Sequence, residues 1–169
     1  MRKILIILLL LFGVFSTNAQ IQRQILGYTF GVSTRSVVVK GLEAKGFDLE
    51  IVTDAANKGP VFYLVKGGVS FGGYIWDDVR IGFVNGKFAS IMCTTYLIET
   101  QSVKLKNTLQ SKYNRYKTVN TNPTLGVYDF NDKKTSAFLY IPSSGNVVLS
   151  YGDERLMNAE TNSSSTNDL

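Results

Sequence analysis

Residues 79–93 read VRIGFVNGKFASIMC, two runs of alternating apolar residues joined by Asn85-Gly86. Such alternation is typical of strands that bury one face. An Asn-Gly pair favours a type I′ turn, because both central residues of that turn need a positive φ. The stretch therefore predicts a β-hairpin, with Ile91 and Cys93 on the side that faces the core.

Extended runs lie on both sides of this hairpin. They are rich in β-branched and aromatic residues and are separated by glycine pairs or by clusters of Asn, Asp, Ser and Pro, which favour turns. Residues 54–60 and 118–124 are polar and are predicted to be loops. The predicted strands outside the hairpin are residues 47–53, 61–65, 69–71, 74–76, 125–130, 136–141 and 146–151.

Two helices are predicted between these runs. Ser33 or Thr34 can cap a first helix that ends before Gly46, which suits the left-handed position after a helix. A second helix is predicted from Thr100 to Tyr116, because its apolar side chains recur at spacings of four, four and three on an otherwise polar segment. These apolar residues are Leu105, Leu109, Tyr113 and Tyr116.

The order helix, strands, helix, strands predicts an α+β fold, an antiparallel β-sheet with two helices packed on one face. Each half would hold one helix followed by several strands, but no residue-level repeat shows whether the halves are a duplication. We predict a single α+β domain at residues 20–157. Residues 158–169 have almost nothing apolar to bury, which predicts a disordered C-terminal tail.

The first nineteen residues have the pattern of a secretory signal peptide. Arg2 and Lys3 precede an apolar run from Ile4 to Phe15, and a small residue, Ala19, ends the segment. The run is shorter than the roughly 20 apolar residues of a permanent membrane span. We therefore predict cleavage after Ala19 and a periplasmic or secreted protein without a stable membrane anchor.

Composition excludes several chemistries. The net charge of +5 falls to +3 without Arg2 and Lys3, too little for the basic surface of a nucleic-acid-binding protein. The chain has no histidine, which removes Ser-His-Asp and Cys-His catalysis and imidazole zinc sites. The single Cys93 cannot form an internal disulfide, and the scattered acidic residues lack the spacing of a calcium loop. No metal site and no cofactor is predicted.

Aromatic side chains are the main candidates for a binding surface. Nine Tyr, ten Phe and one Trp make up 12% of the chain, and Tyr and Trp combine rigid contact area with a polar tip at protein interfaces. The alternative is that they fill the core. We expect an open sheet face lined by Tyr63, Tyr74, Trp76, Tyr128, Tyr140 and Tyr151.

Two short stretches carry a resemblance. Residues 26–38, LGYTFGVSTRSVV, and the Asn-Gly-Lys hairpin are similar to segments of small exported bacterial domains, those grouped with the beta-lactamase-inhibitor-protein-like fold and the SmpA/OmlA outer-membrane assembly lipoproteins. The leader ending in Ala-Gln resembles those of small secreted Bacteroides-type proteins. No cysteine follows the leader, so the resemblance implies neither the lipid anchor of the assembly lipoproteins nor any site residue.

The sequence thus predicts an exported, soluble, non-enzymatic binding domain of the bacterial cell envelope or extracellular space, with a protein or an envelope component as partner. The alternative is a periplasmic carboxylate-based hydrolase, for example one acting on glycans, that uses Asp77 or Asp129. Such an enzyme needs two acids about 5–9.5 Å apart. Asp77 and Asp78 are adjacent and point to opposite sides of an extended chain, so they are poorly placed to converge.

Overall fold

The computed structural model describes residues 20–53 and 60–164; the predicted signal peptide, residues 54–59 and residues 165–169 lie outside this range. Single 3₁₀ turns cover Asn114–Tyr116 and Pro123–Leu125. The strands and helices are β1 (Gln24–Ile25), β2 (Tyr28–Thr29), α1 (Arg35–Glu43), β3 (Asp48–Thr53), β4 (Val61–Lys66), β5 (Val69–Phe71), β6 (Tyr74–Trp76), β7 (Asp78–Val84), β8 (Lys87–Tyr96), α2 (Glu99–Tyr113), β9 (Val127–Asn131), β10 (Thr135–Tyr140), β11 (Asn146–Asp153) and α3 (Glu154–Ser164).

Seven of the strands form one sheet in the order β3-β4-β7-β8-β11-β10-β9, and every neighbouring pair is antiparallel. The pairs β1-β2 and β5-β6 form two small sheets. The predicted α+β class is confirmed. The sheet order also arranges the chain as two similar runs, α1-β3-β4-β7 and α2-β9-β10-β11, each passing from an outer edge towards the central β8.

The Asn85-Gly86 hairpin forms the centre of the sheet. Strands β7 and β8 pair Val79 with Cys93, and the φ angles of Asn85 and Gly86 are +50° and +70°. Positive φ at both positions is what a type I′ turn requires, so the predicted turn is confirmed. The hairpin thereby sets the register of the strands that pair on each side of it.

Replacing Gly86 with valine should lower the free energy of unfolding by about 1–3 kcal/mol, because a β-branched residue is strongly disfavoured at positive φ. A Cβ at this position would meet no atom within 4 Å, so the backbone alone produces the effect. Lys87→Ala is the control and should stay within about 0.5 kcal/mol of wild type. Urea unfolding measures the free energy of unfolding of both variants. Equal small effects of the two substitutions would contradict the assigned turn.

Helices α1 and α2 pack on one face of the sheet, as predicted. Thr34 caps α1, since its hydroxyl oxygen accepts a hydrogen bond from the N–H of Val37. The buried residues of α1 are Val38 and Leu42, and those of α2 include Leu105 and Leu109. All of them join one apolar cluster with the inward side chains of the strands, among them Val79, Ile81, Ile91, Cys93, Leu139, Val147 and Leu149.

The predicted disordered tail is wrong for residues 158–164, which belong to helix α3. This helix begins at Glu154, where Asp153 accepts hydrogen bonds from the N–H groups of Arg155 and Leu156. It contacts β7 and β11, and Met157 lies near Gly152, whose position on β11 faces away from the main core. The capping carboxylate and Met157 precede residue 158, so the composition of the tail alone does not reveal the helix.

Candidate binding site

The six aromatic residues predicted to line an open sheet face do not do so together in the structure. Trp76 is fully buried, and Tyr128 and Tyr151 are only 7% and 5% exposed. Tyr151 pairs with Ile91 and Tyr128 with Leu139, two inward-facing residues, so strand register directs these rings into the core. The expectation that these three side chains line an open face is therefore wrong.

The other three predicted rings are dispersed. Tyr63 is half-buried and meets the ring of Phe83 edge-on at a centroid distance of 5.8 Å. Tyr74 is half-buried beside Trp76 and donates a hydrogen bond from its hydroxyl to the carbonyl of Gln101. Tyr140 is 37% exposed, at the end of β10. Among the six predicted residues, Tyr140 and Tyr128 are the two that line a common cavity.

That cavity is a cleft of about 760 Å³ at one end of the sheet, here called the end cleft. One wall is the first two turns of α2, and the other is formed by the loops at residues 123–126 and 141–145. Strands β8, β9 and β10 contribute the base and rim. Its lining includes Tyr96, Leu97, Glu99, Ser102, Val103, Lys106, Leu125, Tyr128, Tyr140 and Ile141.

Four exposed apolar or aromatic side chains gather around the end cleft. The exposed fractions are 63% for Tyr96, 64% for Leu125, 40% for Val103 and 37% for Tyr140. Tyr96 was missed as a site residue although alternation could have found it: Cys93 and Thr95 are buried, so Tyr96 must point the other way. Large apolar groups left in water around a concavity are typical of binding sites.

Two glycines allow the loops to approach the rings and each other. Gly126 has a φ of +72°, and its carbonyl accepts a hydrogen bond of 2.9 Å from the N–H of Ile141. Gly145 lies against the ring of Tyr96, where an added Cβ would be only 2.6 Å from Cε2. The carbonyl of Gly145 accepts from the N–H of Leu97 at 3.0 Å. These contacts hold the loop wall against the end of β8.

A second cavity, of about 660 Å³, lies across the sheet from the main core and beside α3. Its lining is mainly apolar and contains both methionines that follow Met1, Met92 and Met157, together with Phe62 and Val52. Arg80 also lines it, and its guanidinium donates two hydrogen bonds of 3.1 Å to the carboxylate of Asp78.

The candidate catalytic acids do not converge. Asp77 accepts a hydrogen bond of 2.7 Å from Thr95, while Asp129 on the edge strand β9 accepts one of 2.7 Å from Thr118. The backbone of Asp77 is bonded to Thr94 on β8, three strand spacings from β9, or about 14 Å. That separation exceeds the range of a glycosidase acid pair.

Other kinds of site find no support in the part of the chain that is described. Within residues 20–53 and 60–164 there is no group of three or more acidic or cysteine side chains placed to hold a metal ion. None of the helices in the same ranges combines the length and the apolar character that crossing a membrane requires.

Cys93 is buried, and loss of solvent around the thiolate raises the pKa of its thiol to about 12, with a smaller contribution from the charge of Asp78. The folded protein therefore keeps this proton at pH values where an unfolded thiol, with a pKa of about 8.5, has lost it. Below pH 8.5 the thiol is protonated in both the folded and the unfolded state, so it does not lower the free energy of unfolding. As pH rises from 8.5 towards 12, the unfolded state loses this proton first and the free energy of unfolding falls.

Between pH 9 and 11, Cys93 alone should lower the free energy of unfolding by about 1.4 kcal/mol per pH unit. Urea unfolding across this range should give a shallower slope for Cys93→Ala than for wild type. A residual slope is expected from Tyr151, because burial raises the pKa of its hydroxyl well above the usual value. Identical slopes for the two proteins would contradict the prediction.

Comparisons with known proteins add no further support: no protein-family model, curated protein or solved structure matches this chain. The resemblance to the beta-lactamase-inhibitor-protein-like and SmpA/OmlA group stays a prediction. The candidate site therefore rests on geometry alone.

Proposed function

We propose that this chain is an exported, soluble binding domain without catalytic activity, which engages a protein or a cell-envelope component through the end cleft. The observation that carries this proposal is the gathering of four exposed apolar or aromatic side chains around one cleft of about 760 Å³. Cavities of this size are typical of ligand sites, and isolated exposed residues are not.

Binding is favoured over hydrolysis by the acids available to the cleft. Glu99 is the single acidic residue among the described residues that line it. Asp77 hydrogen-bonds to Thr95 on β8, whereas Asp129 lies on the edge strand β9 and hydrogen-bonds to Thr118 in the preceding loop, so the two acids are too far apart to act as a pair. The end cleft would thus lack the second carboxylate that both glycosidase mechanisms use.

Export is supported by the pattern of residues 1–19. Cleavage after Ala19 would leave Gln20 as the first residue of the mature chain. Ile21 is 1% exposed, and its N–H donates a hydrogen bond to Asp132 at 3.0 Å. The packed domain can therefore begin immediately after the predicted cleavage site.

Tyr96→Ala tests the proposal, with the mature protein as bait and the envelope fraction of the producing cell as prey. Tyrosine is enriched among the few residues that dominate binding, whose truncation costs about 2 kcal/mol or more, so we expect an apparent affinity at least about tenfold weaker. Thermal melts should show that the variant stays folded.

Val32→Ala is the matched control. Val32 is 66% exposed, and its carbonyl contacts Lys87 at the start of β8, about 30 Å along the strand from Tyr96. It should bind as wild type does. If Tyr96→Ala also binds as wild type does, the end cleft is not the binding site.

A further inference from the structure

We infer that the end cleft recognises a saccharide, through tyrosine rings and hydroxyl groups. This inference rests on the proposed function and narrows its partner to a glycan of the cell envelope. It is carried by three features of the cleft: its aromatic surfaces, a tyrosine hydroxyl that is open to water, and backbone groups that are already hydrogen-bonded.

The first feature is the set of three tyrosines, Tyr96, Tyr128 and Tyr140, that line the cleft. A sugar ring has an apolar face of C–H groups and a rim of hydroxyls. A tyrosine ring offers the matching surface, an apolar face with a polar tip. Exposed rings at Tyr96 and Tyr140 can stack on the C–H face of a sugar while keeping their own hydroxyls available.

The second feature is the hydroxyl of Tyr128. The residue is 7% exposed, and none of the described residues forms a hydrogen bond with its hydroxyl. Among the described residues no buried side-chain nitrogen or oxygen lacks a partner, so this hydroxyl is reached by water. Since Tyr128 lines the end cleft, a ligand in the cleft can replace that water. A sugar hydroxyl can both donate to it and accept from it.

The third feature disfavours recognition of a peptide main chain. Peptides that bind by strand addition need free N–H and C=O groups on the receptor. Around the end cleft, the N–H groups of Leu97 and Ile141 donate to carbonyls of the facing loops at 3.0 and 2.9 Å. Those of Gly126 and Gly145 donate to Pro123 and Pro142 at 3.1 Å. These four N–H groups are therefore not free to pair with a peptide main chain.

The charged side chains of the cleft also favour a saccharide as the ligand. Glu99 and Lys106 lie on the same helix and both line the cleft, so they offset each other. A strongly anionic or cationic polymer would therefore gain little there. Ser143 and Thr124 add further hydroxyls to the loop wall. This combination suits a neutral or weakly charged saccharide.

The test uses immobilised cell-envelope fraction of the producing cell in three portions: untreated, digested with a protease, and oxidised with periodate. Periodate cleaves carbon–carbon bonds between neighbouring sugar hydroxyls, and the protease removes protein. Binding of the mature protein should survive protease and fall at least about tenfold after periodate.

Binding that survives periodate and is lost after protease would overturn the saccharide inference and leave the proposed binding function standing. A proline-rich or other peptide ligand would give this result. Equal binding of wild type and Tyr96→Ala to the untreated fraction would instead overturn the proposed function itself. The two failures are therefore distinguishable.

Tyr128→Phe tests the role of the hydroxyl while keeping the ring. It should weaken binding to the protease-treated fraction about three- to tenfold, the effect of one lost hydrogen bond, with an unchanged melting temperature. Tyr63→Phe removes a hydroxyl outside the cleft lining and should bind as wild type does. Wild-type binding by Tyr128→Phe would contradict the inference.

Discussion

Replacing Asp153 with alanine is expected to lower the free energy of unfolding by about 3–5 kcal/mol, the range measured when one partner of a buried ion pair is removed. The Asp153 side chain is 2% exposed, and its Oδ2 lies 2.6 Å from Nη2 of Arg23. Its Oδ1 accepts the first N–H groups of α3, from Arg155 and Leu156. One carboxylate thus joins the N-terminal segment, the end of β11 and the C-terminal helix.

The loss should exceed that of a simple helix cap because Arg23 would be left without its carboxylate. The same guanidinium donates hydrogen bonds to the carbonyls of Phe30 and Lys134, so the damage should reach the N-terminal segment. Urea unfolding followed by circular dichroism measures the change. Limited proteolysis should show earlier cleavage within α3.

Asp78→Ala is the matched control. Asp78 also pairs with an arginine, Arg80, but both side chains are about 40% exposed. Exposed pairs contribute about 0–1 kcal/mol, so the variant should remain close to wild type. Equal effects of Asp153→Ala and Asp78→Ala would show that the Arg23–Asp153 pair does not join the elements as described.

Trp76→Ala should cost about 3–5 kcal/mol, the range for deleting a large buried aromatic side chain. Trp76 is fully buried, its indole N–H donates a 3.0 Å hydrogen bond to the carbonyl of Phe71, and its ring lies beside Tyr74. Deletion would leave a cavity where the β5-β6 hairpin joins the main core and would leave that carbonyl without its donor.

The adjacent Ile75 gives the control, since it is 70% exposed on the same short strand. Ile75→Ala should change stability by no more than about 0.5 kcal/mol. Circular dichroism is the suitable probe, because Trp76 is the single tryptophan and its removal abolishes the main fluorescence signal. A small effect of Trp76→Ala would mean that the β5-β6 hairpin is not packed on the core.

Predictions made from local signals agree with the fold. The Asn85-Gly86 turn, the Thr34 cap and the alternation around Cys93 all appear as expected. Each depends on the conformational preference of a few neighbouring residues, which the chain carries wherever it folds. Element ends were less exact: α2 ends at Tyr113 and continues as a 3₁₀ turn, and Leu125 lies in a 3₁₀ turn before β9.

Predictions that required knowing which side of a strand faces the core were only partly correct. Alternation placed Cys93 correctly, but the tyrosines were selected by composition and not by register. Tyr128 and Tyr151 point inward because they pair with the inward-facing Leu139 and Ile91. Register follows from pairing between distant segments, so composition could not separate these buried rings from the exposed Tyr96.

By itself, then, the sequence determined the α+β class, the central hairpin and the N-terminal cap of α1, since these follow from periodicity and from the backbone preferences of single residues. Only the tertiary structure decided the end cleft, the dispersal of the predicted tyrosines and the anchoring of α3. Each of these depends on contacts between segments far apart in the chain, such as Arg23 with Asp153 and Tyr96 with Gly145. Such contacts depend on how the strands pair and on how the loops at the end of the sheet approach α2, and short-range patterns contain neither.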